Sequence, residues 1–219
     1  MSASSSPNIV EDGLVLCLDA GDPKSYPMNG TTFTDRANSN NGTLHGATFS
    51  SSNAGALDFD GTNDYVDCGN TSDLQFAHSD PFSLEAWVNA DSYSGFHHII
   101  GKTFANYRLA VTSAGYSFRL DQNTIATSSG SPVAGVWQHV VATWEPDSVA
   151  KVYVNAVLQT TSNTQVDWTS TSASFNLGNS HGESYFFNGK IAVGRAYNKT
   201  LTLAEIKQNF KALRGRFGV

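Results

Sequence analysis

Between Phe82 and Asn198 the chain repeats one pattern: a short stretch rich in Val, Tyr, Phe and Trp, then a few turn residues. FSLEAWVNA, HHIIGK, YRLAVT, GYSFRLD, GVWQHVVATWE, AKVYVNAVLQTT, ASFNLG and YFFNGKIAVGRAYN follow one another in this way. Segments of this length and composition read as strands, and strands at this interval build a sandwich or a barrel. In YRLAV, Tyr107, Leu109 and Val111 share one face, and in YSFRL so do Tyr116, Phe118 and Leu120. A strand with one apolar face needs a second sheet to cover it, so the pattern predicts an all-β sandwich. A chain of 219 residues is an ordinary size for one such unit.

Upstream, GLVLCLDAG reads as a further strand. DPKSYPMNGTTFTDRANSNNGTLHG, dense in Pro, Gly and Asn, reads as loop. The closing segment TLTLAEIKQNFKALRG carries the helix signal. Thr202 and Glu205 have capping-box spacing, Ile206, Phe210 and Leu213 form an apolar stripe, and Gly215 is placed to stop the helix. No repeat or linker divides the middle of the chain. One domain is expected over residues 13–219, after an N-terminal arm over residues 1–12.

Charge narrows the function classes. A net charge of −6 offers no attraction to nucleic acid or to an anionic membrane. The basic end KALRGRFGV reads as the complement of a helix C-terminus, with a polyanion-binding tail as the alternative. No run of about 18 apolar residues occurs, so no membrane insertion is expected. The opening MSASSSPNIVEDG has neither the basic start nor the apolar core of an export signal, so synthesis and folding in a cytoplasm are expected. Cys17 and Cys68 sit in strand contexts and read as buried small hydrophobes.

The stretch LDFDGTNDYVDCG crowds carboxylates around a turn. Leu57 and Phe59 face one way and Asp58 and Asp60 the other, with Asp60 and Asp64 flanking GTN. Turn capping, metal binding and catalysis are the competing readings. An EF-hand does not fit the spacing. Catalysis is the weakest: HExxH, GxSxG and nucleotide-binding signatures are absent, and Glu85, Glu145, Glu183 and Glu205 stand isolated along the chain. His97 and His98 are adjacent, so in a strand they face opposite sides and cannot jointly hold a metal. The chain is expected not to be an enzyme.

ALDFDGTNDYVDCG, FSLEAWVNA, YRLAV, GVWQHVVATW, KVYVNAVL and FNGKIAVGRAYNKTLTLAEI, taken in this order, resemble the laminin-G-like, concanavalin A-like jelly-roll family. The resemblance runs from Gly13 to Leu213. More narrowly, DGLVLCLDAGDPKSYP, NGTLHGATF and IKQNFKALRGRFG resemble a subgroup found in virion and tail proteins of large aquatic bacteriophages.

The resemblance implies a sandwich of two antiparallel sheets, a curved concave face and rim loops, with sugar or protein binding as the usual activity. A structural calcium ion is common in the family. Asp60, the Gly61 carbonyl and Asp64, with Asp19 or Asp22, could supply its oxygens, whereas Ala192, Val193 and Gly194 stand where an acidic residue often follows GKI. Trp87, Trp137 and Trp144 lie within strands and are expected in the core. Trp168 in TQVDWTSTS, Tyr93 and Phe96 in DSYSGFHH, and Tyr185 in SHGESYF lie in loops, where an exposed ring could stack on a sugar; the alternative is that each anchors its loop. The expected partners are other virion proteins, further copies of this chain, and host-surface glycans. A purely structural cement protein, or a soluble intracellular lectin-like protein, is the alternative.

Overall fold

The computed structural model describes residues 8–103, 105–128, 132–168, 171–179 and 184–219. In chain order the strands are β1 (Leu14–Asp19), β2 (Thr32–Phe33), β3 (Gly42–His45), β4 (Thr48–Ser50), β5 (Ala56–Asp60), β6 (Tyr65–Asp67), β7 (Phe82–Ala90) and β8 (Phe96–Gly101). They continue as β9 (Tyr107–Thr112), β10 (Gly115–Leu120), β11 (Asn123–Thr127), β12 (Gln138–Trp144), β13 (Ala150–Val154), β14 (Val157–Ser162), β15 (Asn176–Leu177) and β16 (Asn188–Tyr197). Helix α1 (Leu203–Phe217) closes the chain.

The strands form two antiparallel sheets. The first runs β14-β13-β12-β7-β16-β5-β4 with β1 beside β16, and the second runs β11-β10-β9-β8-β15-β6-β3-β2. Between them lies the main core, where Phe82, Leu109, Phe118, Trp144 and Leu177 are almost fully buried. The alternation in YRLAV and YSFRL has the expected consequence: Tyr107, Leu109, Val111, Tyr116, Phe118 and Leu120 all point into this core.

Helix α1 covers the outer face of the first sheet. Thr202 and Glu205 form the capping box, and Ile206, Phe210 and Leu213 face the sheet. The helix does not stop at Gly215 but runs on to Phe217 and ends at Gly218, in the left-handed conformation. The extra turn brings Phe217 onto Trp87, with ring centroids 4.2 Å apart, and onto Trp137 at 4.7 Å. Trp87 and Trp137 are therefore buried under the helix, and Trp144 between the sheets.

Three local expectations need correction. The Pro- and Asn-rich loop contains β2 and β3, whose inward residues Phe33 and Leu44 reach the core. AKVYVNAVLQTT is a hairpin, β13 and β14, turning at Asn155 and Ala156 with φ of 50° and 61°. Finally, residues 8–12 do not form a free arm: Val10 is buried and its N–H donates to Asn209 Oδ1 at 2.8 Å. Residues 1–7 lie outside the described residues.

Candidate functional site

Glu85 on β7 is not isolated in space. It meets Arg195 Nη1 at 2.7 Å and His139 Nε2 at 3.0 Å, and its other oxygen accepts from Asn209 of α1 at 2.6 Å. Asn209 also donates to Tyr197 Oη at 2.9 Å. Burial alone would raise the Glu85 pKa, but the Arg195 charge and the bonds from His139 and Asn209 outweigh it and hold the carboxyl at about 2. All five groups are buried beneath α1. The network fastens the helix and the N-terminal segment to the first sheet.

The expected calcium ligands are engaged within the chain. Asp60 Oδ1 accepts the Thr62 and Asn63 N–H groups at 2.7 and 3.2 Å, and Asp64 Oδ2 accepts the Asp60 N–H at 2.9 Å. Asp64 is buried, which with the nearby Asp60 and Asp58 charges raises its pKa despite that hydrogen bond. Asp19 pairs with Arg216 at 2.6 Å and Asp22 with Arg36 at 3.4 Å, so arginines meet these charges. Among the described residues, no group of three or more His, Cys, Asp or Glu side chains is arranged to hold a metal. In this structure the carboxylates act as turn caps and ion-pair partners. The melting temperature is accordingly expected to be the same in calcium and in EDTA. A rise with calcium that Asp60→Ala removes would restore the metal reading.

The four loop aromatics separate. Trp168 is no exposed platform: it is 4% exposed, lies in the main core and donates its indole N–H to the Phe76 carbonyl at 3.0 Å. The polar sequence around it hid a ring that fills the end of the sandwich. Tyr93 is half-buried and packs on the same core as a loop anchor. Phe96 and Tyr185, 89 positions apart in sequence, do come together, with edge-to-face rings 4.9 Å apart. Phe96 is half-buried and Tyr185 is 36% exposed.

The backbone explains this meeting. His98 N–H donates to the Tyr185 carbonyl at 2.9 Å, and His97 Nδ1 lies 2.7 Å from the Phe186 carbonyl, tying the 185–187 segment to β8. Phe96 is in register with Thr112 of β9, a strand whose Val111 and Leu109 face the core, so Phe96 lies on the outer face of the second sheet. Arg108 and Arg119, register partners on β9 and β10, share that face. Their guanidinium carbons each lie 4.9 Å from the Phe96 ring centre. Small Ala110 and Ser117, one step along each strand on the same face, leave room for these long side chains to reach the ring.

The same face carries His98 and Asn176. His98 Nδ1, Asn176 Oδ1 and Asn179 Oδ1 are buried with no hydrogen-bond partner among the described residues. Burial and the neighbouring Arg108 charge hold the His98 pKa down to about 3, against the bond to the Asn176 carbonyl, so its imidazole is neutral at physiological pH. The sequence pointed to Phe96 and Tyr185 through their loops. It missed Arg108, Arg119 and Asn176, although Arg108 and Arg119 are the charged residues in otherwise apolar alternating strands.

The two-sheet architecture has counterparts among solved structures. The binding domain of Paraclostridial Mosquitocidal Protein 1 aligns with a TM-score of 0.73 at 11% identity, over 91% of this chain and 52% of that one. Domain 4 of AbnA, a GH43 extracellular arabinanase from Geobacillus stearothermophilus solved with arabinotriose, aligns with a TM-score of 0.70 at 16% identity, over 91% of this chain and 99% of that one. The binding domain of botulinum neurotoxin serotype D/C VPI 5993 aligns with a TM-score of 0.69 at 16% identity, over 93% and 53% of the two chains. This chain thus spans about half the length of the two toxin binding domains. No curated protein sequence matches it. The laminin G profile described as the concanavalin A-like lectin/glucanases superfamily matches residues 60–207, most of the chain. With both sheets and the sequence signature in agreement, the chain belongs to the concanavalin A-like lectin/glucanases superfamily.

Proposed function

We propose that this protein is a non-catalytic binding module that holds a glycan at Phe96 and Tyr185, on the outer face of the second sheet, and is displayed on a bacteriophage particle. The observation that carries the binding reading is the meeting of these two partly exposed rings beside two arginines. A sugar ring offers an apolar face for stacking and a rim of hydroxyls for polar groups; the two rings supply the first kind of surface and the partly exposed Arg119 the second, while Arg108 is buried. The domains aligned above include one solved with arabinotriose and two toxin binding domains, which favours binding over catalysis. Glycoside hydrolysis ordinarily needs two carboxylates flanking the bond. Glu85 lies under α1 on the opposite sheet, held in its ion pair, and Glu205 is committed to the helix cap. Glu183 lies outside the described residues.

The particle reading is supported by the opening and closing segments, which resemble phage virion and tail proteins. Its partners are other virion proteins and further copies of this chain, because repetition converts a shallow, weak site into avid attachment. On a glycan array, the intact protein is expected to bind host-surface sugars and Phe96→Ala to lose at least about tenfold in affinity. Equal binding by that variant would remove the site. Mass spectrometry of purified particles that detects this chain, without any glycan bound on the array, would favour the cement-protein alternative; failure to detect it would sink the particle reading.

A further inference from the structure

The outer face of the second sheet holds another aromatic pair at the β3–β6 end. His45 and Tyr65 are register partners, with stacked rings 4.3 Å apart and 11° from parallel. Their neighbours Leu44 and Val66 point into the core, so both rings stand on the face that carries Phe96. His45 is exposed and Tyr65 half-buried.

Stacking occupies one face of each ring. Because His45 is on the β3 side of Tyr65, the other face of Tyr65 is turned toward β15. The ladder pairs Asn176 with Asp67 and Leu177 with Val66; Leu177 and Val66 face the core, so Asn176 shares the outer face with Tyr65. Its Oδ1 is buried and lacks a donor among the described residues.

We infer that His45 and Tyr65 form a second sugar-stacking platform, and that the ligand is an oligosaccharide lying across the strands rather than one terminal sugar. This rests on the glycan-binding reading of Phe96 and Tyr185. Tyr65 is on β6 and Phe96 on β8, with β15 between them, and Leu177 of β15 is opposite both Val66 and Ile100, so the platforms are about 10 Å apart across the sheet and about three residues, roughly 10 Å, apart along it. A single sugar ring cannot cover both. A chain can.

The test uses calorimetric titration of the full chain with laminari-, cello-, manno- and arabino-oligosaccharides, each from monosaccharide to hexasaccharide. The intact protein should bind at least one series, with affinity rising about tenfold or more from the monosaccharide to the longer members. Tyr65→Ala should abolish that rise and leave monosaccharide binding unchanged, Tyr65→Phe should keep it, and His45→Ala, at an exposed position, should reduce it without affecting folding. Phe96→Ala should weaken every member. If Tyr65→Ala and His45→Ala, both folded by their melting curves, bind the long oligosaccharides like the intact protein while Phe96→Ala does not, the second platform is refuted and the first stands. If the intact protein binds no oligosaccharide, or Phe96→Ala changes nothing, both fail.

Discussion

Glu85→Ala is expected to lower the unfolding free energy by about 3–5 kcal/mol, the usual loss when one partner of a buried ion pair is removed. Arg195 would remain buried, 2% exposed, without its carboxylate, and Asn209 would lose the acceptor that joins α1 to the sheet. The same carboxyl makes stability depend on pH. Its pKa is lowered from 4.5 to about 2 on folding, so its contribution is complete above about 4.5 and is lost as pH falls from there toward 2. Denaturant midpoints measured between pH 7 and pH 2 should therefore fall steeply for the native chain and less so for Glu85→Ala. Replacing Glu85 and Arg195 together by Leu and Met should recover most of the loss, since no unpaired charge is then left inside. A single-variant loss below about 1 kcal/mol would mean that the network is hydrated rather than buried.

Trp168→Ala should destabilise the fold by a similar amount, about 3–5 kcal/mol. The indole touches the rings of Trp144, Phe82 and Tyr107, with centroids 5.6, 6.2 and 6.3 Å away, so truncation opens a cavity among large side chains that cannot collapse into it. Trp168→Phe should lose less, retaining most of the packing but removing the hydrogen bond to the Phe76 carbonyl, a difference of about 1 kcal/mol. Equilibrium unfolding by urea, followed by circular dichroism, measures both. A Trp168→Ala protein with unchanged stability and impaired glycan binding would return this residue to the surface role that its sequence context suggested.

Both cases show where local sequence stops being informative. The alternation of Tyr107, Leu109 and Val111 and the capping box at Thr202 were legible because each depends on residues a few positions apart, within one strand or one turn. The all-β class, the terminal helix and its apolar stripe followed from such short-range periodicities. Whether an aromatic in a polar loop is buried does not. Trp168 and Phe96 occupy similar-looking segments, yet one closes the end of the core and the other stands on an outer face. The difference lies in residues brought near from elsewhere, Phe76 and Phe82 for Trp168, and Arg108, Arg119 and Tyr185 for Phe96. Likewise Glu85, Arg195 and Asn209, isolated along the chain, become one network only when β7, β16 and α1 are adjacent. The sequence by itself determined the all-β class and, in strands such as β9 and β10, which face is apolar, because backbone geometry imposes a period of two. Tertiary structure alone decided which carboxylates are paired and which rings remain open to a ligand, because burial and charge pairing depend on strand order and register, and these bring together residues such as Asp19 and Arg216, 197 positions apart.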